Sequence, residues 1–265
     1  MFEILIAFFV FILGTIIGSF LNVVVLRYQT GLSMMRGQSM CFSCSKTLHW
    51  YELVPIFSFL AQKGRCRKCL SKISWQYPAV ESITACLFLA TYLHLGGLEV
   101  VWWKLLLTLI FICFLIIISV YDLKHKIIPD GWSLSLSVVS IIYIALNLWP
   151  TAGHGSFWNW FAGPLLAAPL ALLWLVSGGR WMGLGDGKLM LGLGWFLGLS
   201  LGLSGLIFGF WLGAIYGLII MIFGLSLFGK KITIKSEVPF APFLILGWLI
   251  AYFFGWDLTH LSLFI

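Results

Sequence analysis

The sequence predicts an all-α polytopic membrane protein of about eight transmembrane helices, with a small cytoplasmic zinc-binding loop domain. Three observations predict it. Only 9% of the 265 residues are charged while 61% are hydrophobic and 17% aromatic, whereas a soluble domain is about 25% charged. Mean hydropathy is +1.05, more apolar surface than a compact soluble chain of this length can cover with polar groups. The abundance of aromatics and the scarcity of charge also exclude a disordered chain. Finally, the few basic residues cluster between apolar runs, as they do in loops on the inner face of a membrane.

A span needs about 20 apolar residues to cross about 30 Å of hydrocarbon. The first runs from Ile4 to Leu26. Glu3 ahead of it and Arg27 behind it reverse the charge order of a signal peptide, so a retained helix with its N-terminus outside is expected. A polar stretch, 27–77, follows, and then apolar runs near 78–96, 102–121, 131–149 and 158–178. The run 189–228 holds no charge and is long enough for a tight hairpin of two spans, expected to turn near Leu203-Ser204-Gly205. Its glycines recur every fourth residue, at Gly194, Gly198, Gly202 and then Gly205, Gly209, Gly213, Gly217. That spacing lets helix backbones pack closely in lipid. A last span covers 243–260.

Alternating from an external N-terminus, the inner segments are 27–77, 122–130, 179–188 and 229–242, and they hold 15 of the 16 Lys and Arg residues, all but Lys104. Both chain ends are then outside. Three parts are expected: a first transmembrane helix (1–26), a cytoplasmic four-cysteine domain (27–77) and a seven-helix membrane domain (78–265).

Within the first inner loop stand two CxxC pairs, Cys41–Cys44 and Cys66–Cys69. Each pair offers two thiolates from one turn, and two such turns facing each other make a tetrahedral zinc site. In the reducing cytosol thiols persist and bind metal instead of pairing as disulfides. So small a loop has little core, so the metal should supply much of its folding energy. Cys86 and Cys113, single within apolar runs, read as small buried hydrophobes. The loop's eight basic residues against one acid, Glu52, lack the aromatic interleaving or recognition helix of a nucleic-acid binder. Orientation and contact with anionic membrane lipid account for that charge, and no nucleic-acid partner is expected.

Few acids lie where chemistry can use them. Asp122 closes the third span and Asp186 precedes the sixth within Gly183-Leu-Gly185-Asp186-Gly187-Lys188, both on the inner side. Carboxylates at a membrane edge are costly and mark function. A helix C-terminus disfavours the Asp122 anion and a helix N-terminus favours that of Asp186, biasing the pair toward one neutral and one ionised member, the state an aspartyl protease uses. The glycines beside Asp186 let a substrate backbone approach. Competing structural roles are an N-cap for Asp186 and, after the helix-breaking Pro129, an N-cap for Asp130. Lys188 reads as an interfacial anchor and Glu81 as a first-turn acid. His49, His94, His125, His154 and His260 form no ligand pattern.

These motifs together resemble the bacterial type IV prepilin peptidases, a family of GxGD aspartic proteases. The resemblance rests on Asp122 with Ile128-Pro129, on Gly183–Asp186 followed by Lys188-Leu189, on Gly18-Ser19-Phe20-Leu21-Asn22-Val23-Val24 leading to Arg27, on the paired CxxC motifs ahead of Tyr77-Pro78-Ala79-Val80-Glu81, and on Pro239-Phe240-Ala241-Pro242-Phe243, where Ala241 stands in place of the usual Gly. It implies an inner-membrane aspartic endopeptidase that cuts the short basic leader from prepilins and pseudopilins after a glycine, at the cytoplasmic face. It further implies methylation of the new N-terminus with S-adenosylmethionine. Asp122 and Asp186 would be the catalytic pair and Cys41, Cys44, Cys66 and Cys69 the ligands of a structural Zn2+. No residues for the methyl donor are assigned, and the oligomeric state is open.

Two other readings compete. A proton-coupled transporter would use Asp122, Asp186 and Lys188 as a relay, but predicts acids deep in spans and matched repeats. A zinc-stapled membrane scaffold leaves the two aspartates unexplained.

Overall fold

A computed structural model of the chain describes residues 2–31, 33, 37–148, 154–223 and 238–259. Arg36, Lys230, Lys231, Lys235 and His260 lie outside the described residues. Two compact units divide the chain, Met1–Ile117 and Ile118–Ile265.

In the first unit, α1 (Phe2–Arg27) packs along α3 (Gln76–His94). The contact follows one stripe of α1. A Cβ on Gly14 would lie 2.6 Å from Ala85 Cα, and one on Gly18 would lie 2.8 Å from Glu81 Cα, so only glycine permits these backbones to meet. One turn further, buried Asn22 donates to Tyr77 O at 3.3 Å and accepts from Gln76 Nε2 at 3.2 Å. Polar bonds thus fasten the helices where the stripe ends. Glu81 is not a first-turn acid: it sits beyond the first turn of α3, is buried, and accepts the Ile56 N–H at 2.6 Å. Between the helices lie the cysteine module and the short α2 (Phe57–Ala61). Cys86 is exposed on α3 and Cys113 half-buried, so neither is the buried hydrophobe expected. Period alone does not tell which face of an all-apolar helix turns inward.

The boundary between units falls within α4 (Trp102–His125). The second unit continues with α5 (Asp130–Leu148), α6 (His154–Ser177), α7 (Leu184–Leu197), α8 (Leu199–Phe223) and α9 (Ala241–Phe254). Helix α7 packs on α5 and α6, and α8 packs on α9. Glycines set these contacts, among them Gly194, Gly205 and Gly209 of the expected ladders, whereas Gly217 meets nothing within 4 Å. Gly192 meets Leu136 and Ser137, Gly194 meets Ala162 and Gly163, and Gly205 and Gly209 meet the backbone of Trp248 and Leu244.

The hairpin turn lies earlier than expected. The chain breaks at Gly198 (φ 79°), between α7 and α8, where Asn159 Oδ1 accepts the Leu199 N–H at 3.4 Å. Leu203-Ser204-Gly205 is helical, and Gly205 serves close packing there rather than a turn. Among the described residues, five helical segments are long and apolar enough to cross a membrane: Phe2–Arg27, Trp102–His125, Asp130–Asn147, Trp158–Ser177 and Leu199–Ile222. Helix α9 is apolar but shorter, and the 14 residues of α7 reach only about 21 Å.

Candidate active site and metal centre

The cysteine module is built from two copies of one turn, 25 positions apart from Cys41 to Cys66. In the first, Cys41 N donates to Lys46 O at 2.9 Å and Leu48 N to Ser39 O at 2.8 Å. In the second, Cys66 N donates to Ser71 O at 2.9 Å and Ile73 N to Gly64 O at 2.8 Å. Isolated bridges pair Met40 with Thr47 and Arg65 with Lys72, and the residue after each second cysteine, Ser45 (φ 54°) or Leu70 (φ 57°), is left-handed. Each turn therefore aims both its thiols the same way. The four Sγ atoms lie within 4.8 Å of one another, and Cys41 Sγ is 3.8 Å from Cys69 Sγ. Tetrahedral Zn–S bonds of about 2.3 Å place sulfurs about 3.8 Å apart, so the set fits a zinc ion and is too open for a disulfide.

The surroundings favour thiolate at Cys41 and Cys69, while burial and the neighbouring thiols push Cys44 up to about 11. The backbone amide of Cys44, then that of Ser43, holds the Cys41 thiol down to about 6. The Ser71 hydroxyl, 3.1 Å from Cys69 Sγ, holds that thiol below its ordinary value. Behind the first turn, buried Glu52 accepts the His49 N–H at 3.0 Å and pairs with Lys46 Nζ at 2.9 Å, and these partners keep its carboxyl below the usual range.

In the second unit, Asp122 lies in the last turn of α4 and Asp186 in the first turn of α7, both buried. The Asp122 charge acts on Asp186, so the fold brings these two distant residues into electrostatic reach. Asp186 is not the N-cap; Gly183 is, in extended conformation, and Asp186 projects from within the helix. A methyl on Gly183 would stand 3.7 Å from Asp186 Oδ2, so a bare backbone borders that carboxylate. A Cβ on Gly185 would lie 3.0 Å from Ile128 Cβ. The Ile-Pro segment after Asp122 therefore docks on the glycine preceding Asp186.

The pentapeptide 239–243 supplies a third part. Ala241 opens α9 and is fully buried. Its N–H, one of the donors every helix start leaves unpaired, donates to Asp122 Oδ2 at 3.2 Å. That bond favours the Asp122 anion and works against burial and the helix dipole, which both disfavour it.

Asp130 also departs from expectation. It is the first residue of α5 and no N-cap; its Oδ1 holds Lys188 Nζ at 2.7 Å, which makes Lys188 a partner rather than a free anchor. Sequence reasoning missed this pair, the Ala241 donor and the contact between Ile128 and Gly185, because each joins segments far apart in the chain. The repeated turn was open to detection, since Cys-x-x-Cys followed by Leu48 or Ile73 and then Trp50 or Trp75 recurs at one offset.

A cavity of about 460 Å³ adjoins the second cysteine turn, lined by Phe59, Leu60, Lys63, Arg65, Lys72 and Trp75 among others. Its three cations and lack of an acid do not suit S-adenosylmethionine, whose sulfonium and ammonium outweigh its carboxylate.

Residues 12–95 match the bacterial peptidase A24 N-terminal domain, and residues 109–218 match the type IV leader peptidase family. A prepilin leader peptidase/N-methyltransferase of Bacillus subtilis is 33% identical over 250 residues, 92% of this chain and 93% of that protein. Proteins of the same name from Klebsiella pneumoniae (32% identical, 71% of this chain, 84% of that protein) and Xanthomonas campestris (30%, 93% and 91%) are also similar. No solved structure matches. With relatives this similar across nearly their full length, and both family domains in order along the chain, the protein belongs to the type IV leader peptidase family.

Proposed function

We propose that the protein is an inner-membrane aspartic endopeptidase that removes the basic leader of type IV prepilins or pseudopilins after a glycine, at the cytoplasmic face. The observation that carries this is the buried pair Asp122 and Asp186, assembled from two helix ends and bordered by bare glycine backbone. Two carboxylates within electrostatic reach disfavour double ionisation, so the pair carries one proton. Asp122, whose anion the Ala241 N–H favours, takes a proton from water as the water attacks the scissile carbonyl. Protonated Asp186 donates to the carbonyl oxygen. The tetrahedral species then collapses and the leaving amine takes a proton from the pair.

Cys41, Cys44, Cys66 and Cys69 would hold a structural zinc ion, which stiffens the module and takes no part in cleavage. Methylation of the new N-terminus with S-adenosylmethionine is supported by the names of the relatives. Termini outside, with the module and the aspartate pair inside, is the topology that the distribution of basic residues supports.

Asp122→Asn and Asp186→Asn should each lower turnover of a leader-bearing substrate at least about 10³-fold, and the double variant should be little worse than either. The full-length protein in detergent, assayed by mass spectrometry of the substrate N-terminus with and without methyl donor, reads cleavage and methyl addition together. Wild-type turnover in either single variant refutes the assignment.

A further inference from the structure

A basic leader approaching a chain of net charge +7 needs a local acid, and the proposed topology leaves few. Of the acids it places on the inner side, Glu52, Glu81, Asp122 and Asp186 are buried. Among the described residues Asp130 is the exposed one, its side chain 75% accessible, while Glu237 lies outside them. Asp130 spends one oxygen on Lys188. A carboxylate has two oxygens and about four acceptor sites, so a second cation can join.

The pair stands at a cleft of about 370 Å³ between the starts of α5 and α7, lined also by Ser133, Leu134, Ser137 and Leu191. The serine hydroxyls are turned onto their own helix, with Ser133 Oγ donating to Asp130 O and Ser137 Oγ to Ser133 O, so the wall they present is largely apolar. One charged end and one apolar wall match a peptide that passes from basic leader to apolar segment. The cleft is also joined to the aspartate pair. Asp130 lies two residues beyond Ile128, which abuts Gly185, the neighbour of Asp186.

We infer that this cleft is the docking site for the substrate's leader, with Asp130 receiving a leader Lys or Arg and the Leu134–Leu191 wall receiving the apolar residues that follow. The inference rests on the peptidase reading. Asp130 is here a specificity residue and touches no reacting atom. Lys188 tempers it: by occupying Oδ1 it weakens the hold on the leader, which favours release after cleavage.

The test uses full-length protein and three substrates with one apolar segment, whose leaders carry Lys and Arg, Gln, or Glu at the same positions. Asp130→Lys should lower kcat/KM for the basic leader about three- to tenfold, mainly through KM, and raise it for the Glu leader. The wild-type preference should fade at high salt. Lys188→Gln, which frees Asp130 Oδ1, should lower KM for the basic leader. A merely structural ion pair would instead make Lys188→Gln as harmful as Asp130→Asn, whatever the leader. Equal losses on all three leaders, or none, overturn the inference. Wild-type protein that cuts none of the substrates overturns the peptidase reading itself.

Discussion

Gly185→Ala puts the link between the two aspartate segments under direct strain. Its methyl would arrive 3.0 Å from Ile128 Cβ and 3.4 Å from both Cγ1 and Cδ1. Carbon atoms rest at about 3.5–4.0 Å, so the Ile-Pro segment and the first turn of α7 must part by about 0.5–1 Å. Overpacking of this kind costs about 1–3 kcal/mol, which a folded membrane domain survives. The larger effect falls on Asp186, the next residue, since a displacement of about 1 Å at a reacting group costs about 10²-fold. We expect kcat for a leader-bearing substrate to fall about 10- to 100-fold with little change in KM, measured on purified protein matched for amount and thermal stability. Adding Ile128→Gly removes all three crowding atoms and should restore most of the turnover. Gly217→Ala is the comparison, because it lies on α8 away from the aspartates and its methyl meets nothing within 4 Å. Turnover unchanged in Gly185→Ala, or as low in the double variant as in the single, refutes the coupling.

Elemental analysis should find one zinc per chain, lost in Cys41→Ser and Cys66→Ser, and a chelator strong enough to remove it should make 39–73 protease-sensitive; structural zinc sites are worth about 10–16 kcal/mol, so mild chelators should fail. Glu52 has a folded-state pKa below its unfolded value, so its stabilisation is present above about pH 4.3 and is lost as pH falls through the folded value. Glu52→Gln should therefore cost about 1–2 kcal/mol at neutral pH, with the two melting curves converging as pH falls through the folded value; a difference that stays constant on acidification contradicts the assignment. Gly209→Leu would place its Cβ 3.0 Å from Leu244 Cα and 3.1 Å from Phe243 O. The backbone of α9 cannot yield as a side chain does, so detergent unfolding should show a loss of at least about 1–3 kcal/mol, and an unchanged midpoint would show that α8 and α9 do not pack this way.

What the sequence made legible divides by the range of the interaction. The cysteine centre was readable because its chemistry is local: two residues between ligands set each turn, and one turn resembles the other. The aspartates were readable as isolated costs, acids at the edge of apolar runs, with neither their distance nor their donor visible. The Ala241 N–H is a backbone group, carried by every residue but proline, so no residue type announces it. Glycine shows the same ambiguity from within. Gly198 and Gly205 are alike in sequence, yet one supplies a positive φ between α7 and α8 and the other a close approach to Trp248. Only the partner helix decides between a turn and a contact. Asp130 is the sharpest case, since Pro129 before it and Gly131-Trp132-Ser133 after it make a sound local argument for a cap. The helix starts one residue earlier than that argument places it, and the carboxylate turns to a cation on another helix. Local patterns thus located the groups that cost energy to place, and tertiary pairing determined what each one does.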